Sequence, residues 1–166
     1  MNKAKIAVLV SGGGTNLQAL IDYQKKNKAS FEIVLVISNK SDAYALERAK
    51  QNGIKTIVIS RKEQGLTQEE FEQKIIEQIE ANKIDLIVLA GFMSILSKNF
   101  TSKYPKKIVN VHPSLIPAFC GKGYYGIKVH EEVLKAGVKT TRCNSTLCKW
   151  DTRWWRNNYP KKSRSK

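Results

Sequence analysis

Five short, uninterrupted apolar runs alternate with segments of helical periodicity, and this alternation limits the possible folds more than any other feature. The runs are KIAVLVS, FEIVLVIS, KTIVIS, IDLIVLAG and KIVNVH, at residues 5–11, 31–38, 55–60, 84–91 and 107–112. Continuous apolar runs are typical of strands in a parallel sheet that is buried on both faces. The pattern therefore predicts an α/β fold, a Rossmann-like and mostly parallel sheet with helices on both faces.

The segments between these runs supply the predicted helices, at residues 16–25, 43–51, 67–82, 94–105 and 127–137. Ser41 and Asp42 are the predicted caps of the second helix, and Gly53 ends it. The third helix begins with a Thr-x-x-Glu capping box, from Thr67 to Glu70, and has acidic residues in its first turn. It therefore has the clearest start signal of the five.

The positive charge of the chain is concentrated near its C-terminus. Of a net charge of +15, eight basic residues and one acid place +7 in residues 142–166, which also contain all three tryptophans and two of the three cysteines. Such a tail can bind single-stranded nucleic acid by neutralising phosphates and stacking on bases. The same composition is also typical of disordered chain, so it does not by itself favour a nucleic-acid partner.

Composition also argues against several other classes of protein. No apolar run approaches the roughly 18 to 20 residues of a membrane span, and SGGGTN follows the first run in place of a signal-peptide cleavage site. We therefore expect a cytoplasmic protein with no membrane partner. The cysteines Cys120, Cys143 and Cys148 are odd in number and are expected to be reduced thiols. Cys143 and Cys148 have no second pair, so no metal site is predicted.

A glycine-rich loop, SGGGTNLQAL, connects the first predicted strand to the first helix. Backbone N–H groups in such a turn, together with the helix N-terminus, can hold a phosphate. The loop has no Walker lysine, and its glycines do not complete G-x-G-x-x-G, so dinucleotide binding is disfavoured. The alternative interpretation is a tight turn that uses glycine only for its positive φ.

A second candidate site lies at the end of the fifth run, NVHPSLIPAFCGKGYYG. Side chains two apart on a strand share a face, so Asn110 and His112 point the same way, roughly 6.5 to 7 Å apart along the strand. Asn offers an N–H donor to a carbonyl oxygen, and His can give or take a proton near neutral pH. The pair suits acyl transfer, although His112 can equally be a hydrogen-bonded histidine packed at a strand end. The other histidine, His130, is expected on the surface of the last helix.

Four stretches of the first 141 residues resemble the phosphoribosylglycinamide formyltransferase family, in the same order. They are KIAVLVSGGGTNLQALID, VISNKSDAYALERAKQNGI, DLIVLAGFMSILS and IVNVHPSLIPAF. The resemblance implies a formyltransferase domain at residues 1–141. The wider group, including methionyl-tRNA formyltransferase and formyltetrahydrofolate hydrolase, shares the His-Pro-Ser-Leu-x-Pro run. Those two normally carry an additional domain for which we expect no room here, so the glycinamide enzyme is favoured.

The resemblance implies an activity and its small-molecule substrates. The family transfers a formyl group from 10-formyltetrahydrofolate, a co-substrate, to the amine of glycinamide ribonucleotide in purine synthesis. By resemblance, the ribonucleotide is bound by Gly14, Thr15 and Asn16, with its phosphate on the glycine-rich loop. The residues implied to line the folate site are Met93, Ser94, Ile95 and Leu96.

The resemblance also gives roles to the strand pair. Asn110 is implied to hold the formyl oxygen and to contact the folate, and His112 to act as the general acid that protonates this oxygen as the amine attacks. Residues 113–119 are implied to form the floor of the site. No oligomeric state is indicated by the sequence.

After Thr141 the sequence departs from the family pattern. The family continues with a strand of the type GATVHFV, an acidic loop whose aspartate pairs with the catalytic histidine, another strand and a long helix. Read out of phase, codons for RCNSTLCK, residues 142–149, can encode Gly-Ala-Thr-Val-His-Phe-Val-Asn. Codons for residues 157–164 can encode Ile-Ile-Ile-Leu-Lys-Lys-Ala-Val in the same phase. We therefore interpret residues 142–166 as an aberrant, disordered basic tail produced by a frameshift at or just before Arg142.

This interpretation leaves the catalytic domain incomplete. Without its acidic partner, His112 loses the group that orients its ring and favours its charged form. We therefore expect low activity and marginal folding or aggregation of the chain as written. Two alternatives to an active enzyme follow: a remnant that binds ribonucleotide without catalysis, and a protein that binds nucleic acid through its basic tail.

Overall fold

The computed structural model describes residues 3–26, 29–112, 131–132, 134–136 and 144–147. Within them, strands and helices alternate: β1 (Ala4–Val10), α1 (Thr15–Lys26), β2 (Phe31–Ser38), α2 (Tyr44–Gln51), β3 (Lys55–Val58), α3 (Arg61–Gln64), α4 (Gln68–Ala81), β4 (Leu86–Leu89), α5 (Lys98–Lys103), β5 (Ile108–His112) and β6 (Asn144–Leu147). Residues 131–132 and 134–135 are also helical, inside the helix predicted at 127–137.

The strands form one sheet in the order β3-β2-β1-β4-β5-β6. The first five run parallel, and β6 pairs with β5 in the antiparallel direction. In the centre, Val8 of β1 is in register with Val36 on one side and Val88 on the other. The predicted α/β fold with a mostly parallel sheet is therefore confirmed.

Apolar side chains cover both faces of this sheet, because alternate residues of each strand point to opposite sides. On one face, Leu9 and Leu35 pack with residues of α4 and α5, including Phe71, Ile75 and Phe100. On the other face, residues of β1, β2 and β4 pack with side chains of α1 and α2. The continuous apolar runs of the sequence thus correspond to strands that are buried on both faces.

The start of α2 differs from its prediction. The N-cap residue is Ala43, and it makes no side-chain capping bond, so the predicted caps Ser41 and Asp42 are wrong. The reason is that a first-turn N–H of α2, that of Ala45, donates to the carbonyl of Gly12 at 3.0 Å. The glycine-rich loop therefore replaces a capping side chain, and α2 is fastened to that loop.

Two helices have different bounds from those predicted. The short helix α3 was not predicted, although Ser60 caps it through the N–H of Glu63 and Gly65 ends it with φ +63°. Helix α5 begins at Lys98 and not at residue 94, because Ser97 is its cap. Residues 91–97 are consequently a loop between β4 and α5.

Strand β6 lies inside the segment predicted to be disordered. Asn144–Leu147 pair with Val109–His112 in the antiparallel direction, so the prediction of disorder is wrong for these four residues. The pairing uses backbone groups, which every residue except proline supplies, so it does not depend on the side chains of β6. The remaining residues of 142–166 lie outside the described part of the chain.

The capping box of α4 gives a pH-dependent prediction. Hydrogen bonds from the backbone and side chain of Thr67 hold the pKa of Glu70 below its ordinary value. A lowered pKa means that this stabilisation is present above the unfolded-state pKa and is lost as the pH falls through the folded one. Thr67→Ala is therefore expected to reduce the free energy of unfolding by about 1 kcal/mol at pH 7, and by less at pH 3, in urea denaturation.

The matched control for this prediction is Glu69→Ala, which removes an acid from the same helical turn and leaves the Thr67 cap intact. Its effect is expected to be the smaller of the two at pH 7. Equal losses of stability for both variants, or a Thr67→Ala effect that grows on acidification, would contradict the capping account.

Candidate active site at the carboxyl edge of the sheet

The site lies where the order of the strands reverses. The chain moves outward from β1 to β2 and β3 on one side, and then resumes at β4 on the other side of β1. The connection after β1 goes to α1 on one face, whereas the connection after β4 leads to α5 on the opposite face. A crevice forms between such diverging loops, and open α/β sheets bind their ligands in it.

The glycine loop, residues Ser11–Gly14, forms one wall of the crevice. Two of its carbonyls are bound by α2: that of Gly12 by the N–H of Ala45, and that of Gly13 by Nε of Arg48 at 2.8 Å. In a trans peptide the following N–H points away from the carbonyl, so the N–H groups of Gly13 and Gly14 point away from α2. The loop therefore directs two backbone donors to its open side, as an anion site requires.

Arg48 is itself held in place on α2. Its Nη1 donates to Oε1 of Gln18 on α1 at 3.2 Å, and its guanidinium lies 4.9 Å from the centre of the Tyr44 ring. The residue thus joins α1, α2 and the glycine loop. Thr15 and Asn16, the first residues of α1, are exposed next to Gly14.

Residues Met93–Ser97, here called the 93–97 segment, form the opposite wall. The N–H of Met93 donates to Oγ of the buried Ser11 at 2.7 Å, which joins the two walls directly. Oγ of Ser94 accepts from Nδ2 of Asn39 at 2.7 Å, from the end of β2. Met93 and Ser94 are therefore fixed by residues that directly follow two different strands, β1 and β2.

The other end of the segment is bound by α4. The carbonyl of Ile95 accepts from Nε2 of Gln68 at 3.0 Å, and the N–H of Ser97 donates to Oε1 of Glu72 at 2.6 Å. Leu96 is buried in the core beneath the segment. Its side chain supports the loop from below, and its predicted place in the folate site stays a prediction.

These bonds leave two apolar side chains facing solvent. Met93 is 44% exposed and Ile95 is 81% exposed, although the backbone of both residues is hydrogen-bonded to neighbouring elements. Apolar side chains held on a fixed backbone offer a surface to an apolar ligand at little further cost in conformational entropy. The 93–97 segment therefore offers an apolar surface to a ligand.

Asn110 and His112 lie on β5, next to β4 at the same carboxyl edge. Asn110 is half-buried and in register with Leu89, three residues before Phe92. His112 is the last residue of β5 and is in register with Asn144 of β6. Both belong to one strand and are two residues apart, so the two positions share a face of β5. Residues 113–119, the predicted floor of the site, lie outside the described part of the chain.

A cavity of about 910 Å³ opens beside Ser94, between the ends of β2 and β3. Nine of its ten lining residues are polar or charged, and they carry both signs of charge: Lys40, Asp42, Arg61, Lys62 and Glu63. The cavity adjoins the 93–97 segment on the side away from β5. A ligand on that segment therefore has a polar, partly cationic region next to it.

Neither a metal site nor a membrane-spanning helix is found among the described residues. No group of three or more His, Cys, Asp or Glu side chains there is placed to hold a metal ion. None of the helices in those same ranges is long and apolar enough to cross a membrane.

The predicted site residues lie together in the structure, but the sequence indicated none of the residues that hold them. Gly14, Thr15, Asn16, Met93–Leu96 and Asn110 all lie at the carboxyl edge of β1, β4 and β5. The residues that were missed are Ser11, Asn39, Arg48, Gln68 and Glu72. One sequence signal was available: Ser11 and Asn39 each end or follow an apolar run, where a polar residue is next to the site.

Comparison with known proteins identifies the family. The model of the formyl transferase family matches residues 4–145. The chain belongs to the formyl transferase family. It is 47% identical over 142 residues to the trifunctional purine biosynthetic protein adenosine-3 of Gallus gallus, and 42% identical over 134 residues to the phosphoribosylglycinamide formyltransferase of Escherichia coli. These matches cover 86% and 80% of this chain, but 14% and 59% of the two relatives.

Solved structures of formyl transferases have the same fold. The phosphoribosylglycinamide formyltransferase of Coxiella burnetii matches with a TM-score of 0.80 at 40% identity, over 89% of this chain and 66% of that one. Glycinamide ribonucleotide transformylase 1 of Geobacillus kaustophilus matches with a TM-score of 0.81 at 32% identity, over 91% and 77%. The resemblance to phosphoribosylglycinamide formyltransferases is therefore confirmed, and with it membership of a family of transferases.

The glycine loop gives a prediction with an internal control. Gly14 has φ +72°, and an added Cβ would lie 2.6 Å from Cβ and 2.8 Å from Cα of Ala45. Gly14→Ala is therefore expected to lower the free energy of unfolding by about 2 to 4 kcal/mol, from backbone strain and overpacking against α2. The measurement is the urea midpoint with its slope.

Gly13→Ala is the control, because an added Cβ there meets no atom within 4 Å. It is expected to change the free energy of unfolding by about 0.5 kcal/mol or less. If Gly14→Ala were as mild as Gly13→Ala, the close contact between the loop and α2 would be refuted.

Proposed function

We propose that this chain carries the formyl-transfer site of de novo purine biosynthesis. The reaction moves a formyl group from 10-formyltetrahydrofolate to the amine of N1-(5-phosphoribosyl)glycinamide. The observation that carries the proposal is the crevice between the glycine loop and the 93–97 segment, joined by Ser11 and flanked by β5. The names of the relatives agree with this activity.

The two walls of the crevice divide the substrates between them. The backbone N–H groups of Gly13 and Gly14, with Thr15 and Asn16, suit the phosphate end of the ribonucleotide. The exposed side chains of Met93 and Ile95 suit the flat ring system of the folate. The amine and the formyl group then meet near the end of β5.

Asn110 and His112 have the chemistry that the transfer needs. The amine nitrogen attacks the formyl carbon, which becomes tetrahedral while its oxygen gains negative charge. The amide of Asn110 donates to this oxygen, and His112 as general acid supplies a proton to it. On collapse the oxygen returns its proton to His112 and the bond from carbon to N10 of the folate breaks. The amine nitrogen loses one proton and N10 gains one, which gives the formylated amine and tetrahydrofolate.

The catalytic prediction concerns His112. In a formyl-transfer assay on a version with the reading frame restored after Thr141, His112→Ala is expected to reduce the rate by about 10² to 10⁴, the usual contribution of general acid catalysis. His130→Ala is the control, since His130 is predicted on a helix surface, and it should leave the rate unchanged. Full activity of His112→Ala would refute the proposed mechanism.

The segment after Thr141 is proposed to be the product of a shifted reading frame. The family match stops at residue 145, within that segment. Strand β6, at Asn144–Leu147, falls where the out-of-phase reading gives Thr-Val-His-Phe, inside a family-like strand. Strand β6 lies beside β5, and the out-of-phase sequence would supply the family strand at the same residues. This agreement supports a frameshift at or just before Arg142.

This shift would remove the acidic group that pairs with His112. We therefore propose that the chain as written binds substrates with little or no formyl transfer. Calorimetric titration with the ribonucleotide, followed by a transfer assay with 10-formyltetrahydrofolate added, distinguishes the cases. Binding without transfer indicates a binding remnant, and transfer indicates an enzyme that does not need the missing group.

The frame proposal has its own test in DNA. Sequencing the gene across codons 138 to 166 is expected to show that the alternative phase encodes Gly-Ala-Thr-Val-His-Phe-Val and then an acidic loop with an aspartate. An alternative phase that lacks this strand, or that meets a stop codon before an aspartate, would rule out the frameshift.

A further inference from the structure

Glu72 is a buried carboxylate that belongs to neither proposed substrate wall. It lies on α4 and is only 6% exposed, next to a face made of Phe71, Ile75, Ile76 and Ile79. Burying a charged group costs several kcal/mol unless its hydrogen bonds are replaced. An apolar residue would fill this position without that cost, so the function of the carboxylate must be sought in its partners.

Glu72 is the acceptor in three hydrogen bonds. Its Oε1 accepts from the N–H of Ser97 at 2.6 Å and from Nε2 of Gln68 at 2.5 Å, and its Oε2 accepts from the hydroxyl of Ser97 at 2.5 Å. An ionised carboxylate is an acceptor on both oxygens, so three donors suit it. Hydrogen bonds to a charged group are also among the strongest in proteins.

Gln68 and Ser97 connect Glu72 to the 93–97 segment and to α5. Nε2 of Gln68 donates to the carbonyl of Ile95 as well as to Glu72. Oγ of Ser97 donates to Glu72 and accepts from the N–H of Phe100, so it also begins α5. Glu72 therefore fixes the C-terminal end of the segment and the start of the helix that follows.

We infer that Glu72 is a positioning residue for the formyl donor. It touches neither substrate, but it holds the backbone from which Met93 and Ile95 present their exposed side chains. This inference rests on the proposed function, which places the folate on the 93–97 segment. The opposite end of the segment is held by Ser11 and not by Glu72, so the glycine loop does not depend on this carboxylate.

The test compares four forms of the full chain: wild type, Glu72→Ala, Glu72→Gln and Glu77→Ala. Glu77 is the matched control, because it accepts from Gln73 four residues earlier on α4, just as Glu72 accepts from Gln68, but it is exposed. Glu72→Gln keeps the volume and one acceptor oxygen, and the Ser97 hydroxyl can turn to accept from the new amide.

The first measurement needs no ligand. Amide hydrogen exchange of Ser97 is expected to accelerate about tenfold or more in Glu72→Ala, because its acceptor is removed. The amide of Met93, which donates to Ser11, is expected to keep the wild-type rate. Unchanged exchange at Ser97 would overturn the inference.

The second measurement uses folic acid and inorganic phosphate as separate probes. Glu72→Ala is expected to weaken folic acid binding by about tenfold while phosphate binding is unchanged, since only one wall of the crevice is released. Glu72→Gln and Glu77→Ala should stay within about threefold of wild type for both probes. Equal loss for folic acid and phosphate would show a general effect on folding and would overturn a positioning role.

The two proposals fail in different ways. If wild type does not bind folic acid, the proposed function fails, while the exchange rate of Ser97 still decides whether Glu72 holds the segment. If wild type and Glu72→Ala bind folic acid equally, the positioning role fails and the proposed function stands. Should Glu72→Ala not unfold cooperatively, Ser97→Ala replaces it, and unchanged folic acid binding by that variant overturns the inference.

Discussion

The parallel pairing of β1 with β4 is the constraint on which the rest of the site depends. It places the two strands side by side although the residues between them form two further strands and four helices. Since their following segments turn to opposite faces of the sheet, the loops separate and leave room for ligands. The bond from Met93 to Ser11 crosses this gap near its base and fixes its width. Every candidate ligand residue takes its position from that geometry.

Both walls of the crevice are loops, yet nearly every residue in each loop is hydrogen-bonded to another part of the fold. The glycine loop is held through its carbonyls by α2, and the 93–97 segment by the ends of β1 and β2 and by α4. Loops bound in this way present their free groups with the precision of regular structure, which lowers the entropy lost on binding. The exposed Ile95 is an example, because its side chain is free while its carbonyl is bound.

The strands and the longer helices could be predicted from the sequence because their signals are local. The apolar runs gave the five parallel strands, and the Thr67 capping box gave the start of α4. The start of α2 could not be predicted, since its N–H partner is Gly12, more than thirty residues away in sequence. The same holds for Glu72, whose position on α4 looked like an ordinary acid in a helix rich in glutamate. Contacts between distant residues decide such cases, and periodicity does not record them.

Strand β6 shows that two requirements are separate: pairing at the edge of the sheet, and the side chains that catalysis needs. An unpaired strand edge promotes aggregation, and β6 covers the edge of β5 with backbone hydrogen bonds that are indifferent to side-chain identity. A segment can therefore extend the sheet beyond β5 through its backbone whatever its side chains are, whereas catalysis needs a particular side chain at a particular place. The presence of a strand beside β5 thus carries no information about catalytic competence, which depends on side chains that backbone pairing does not select.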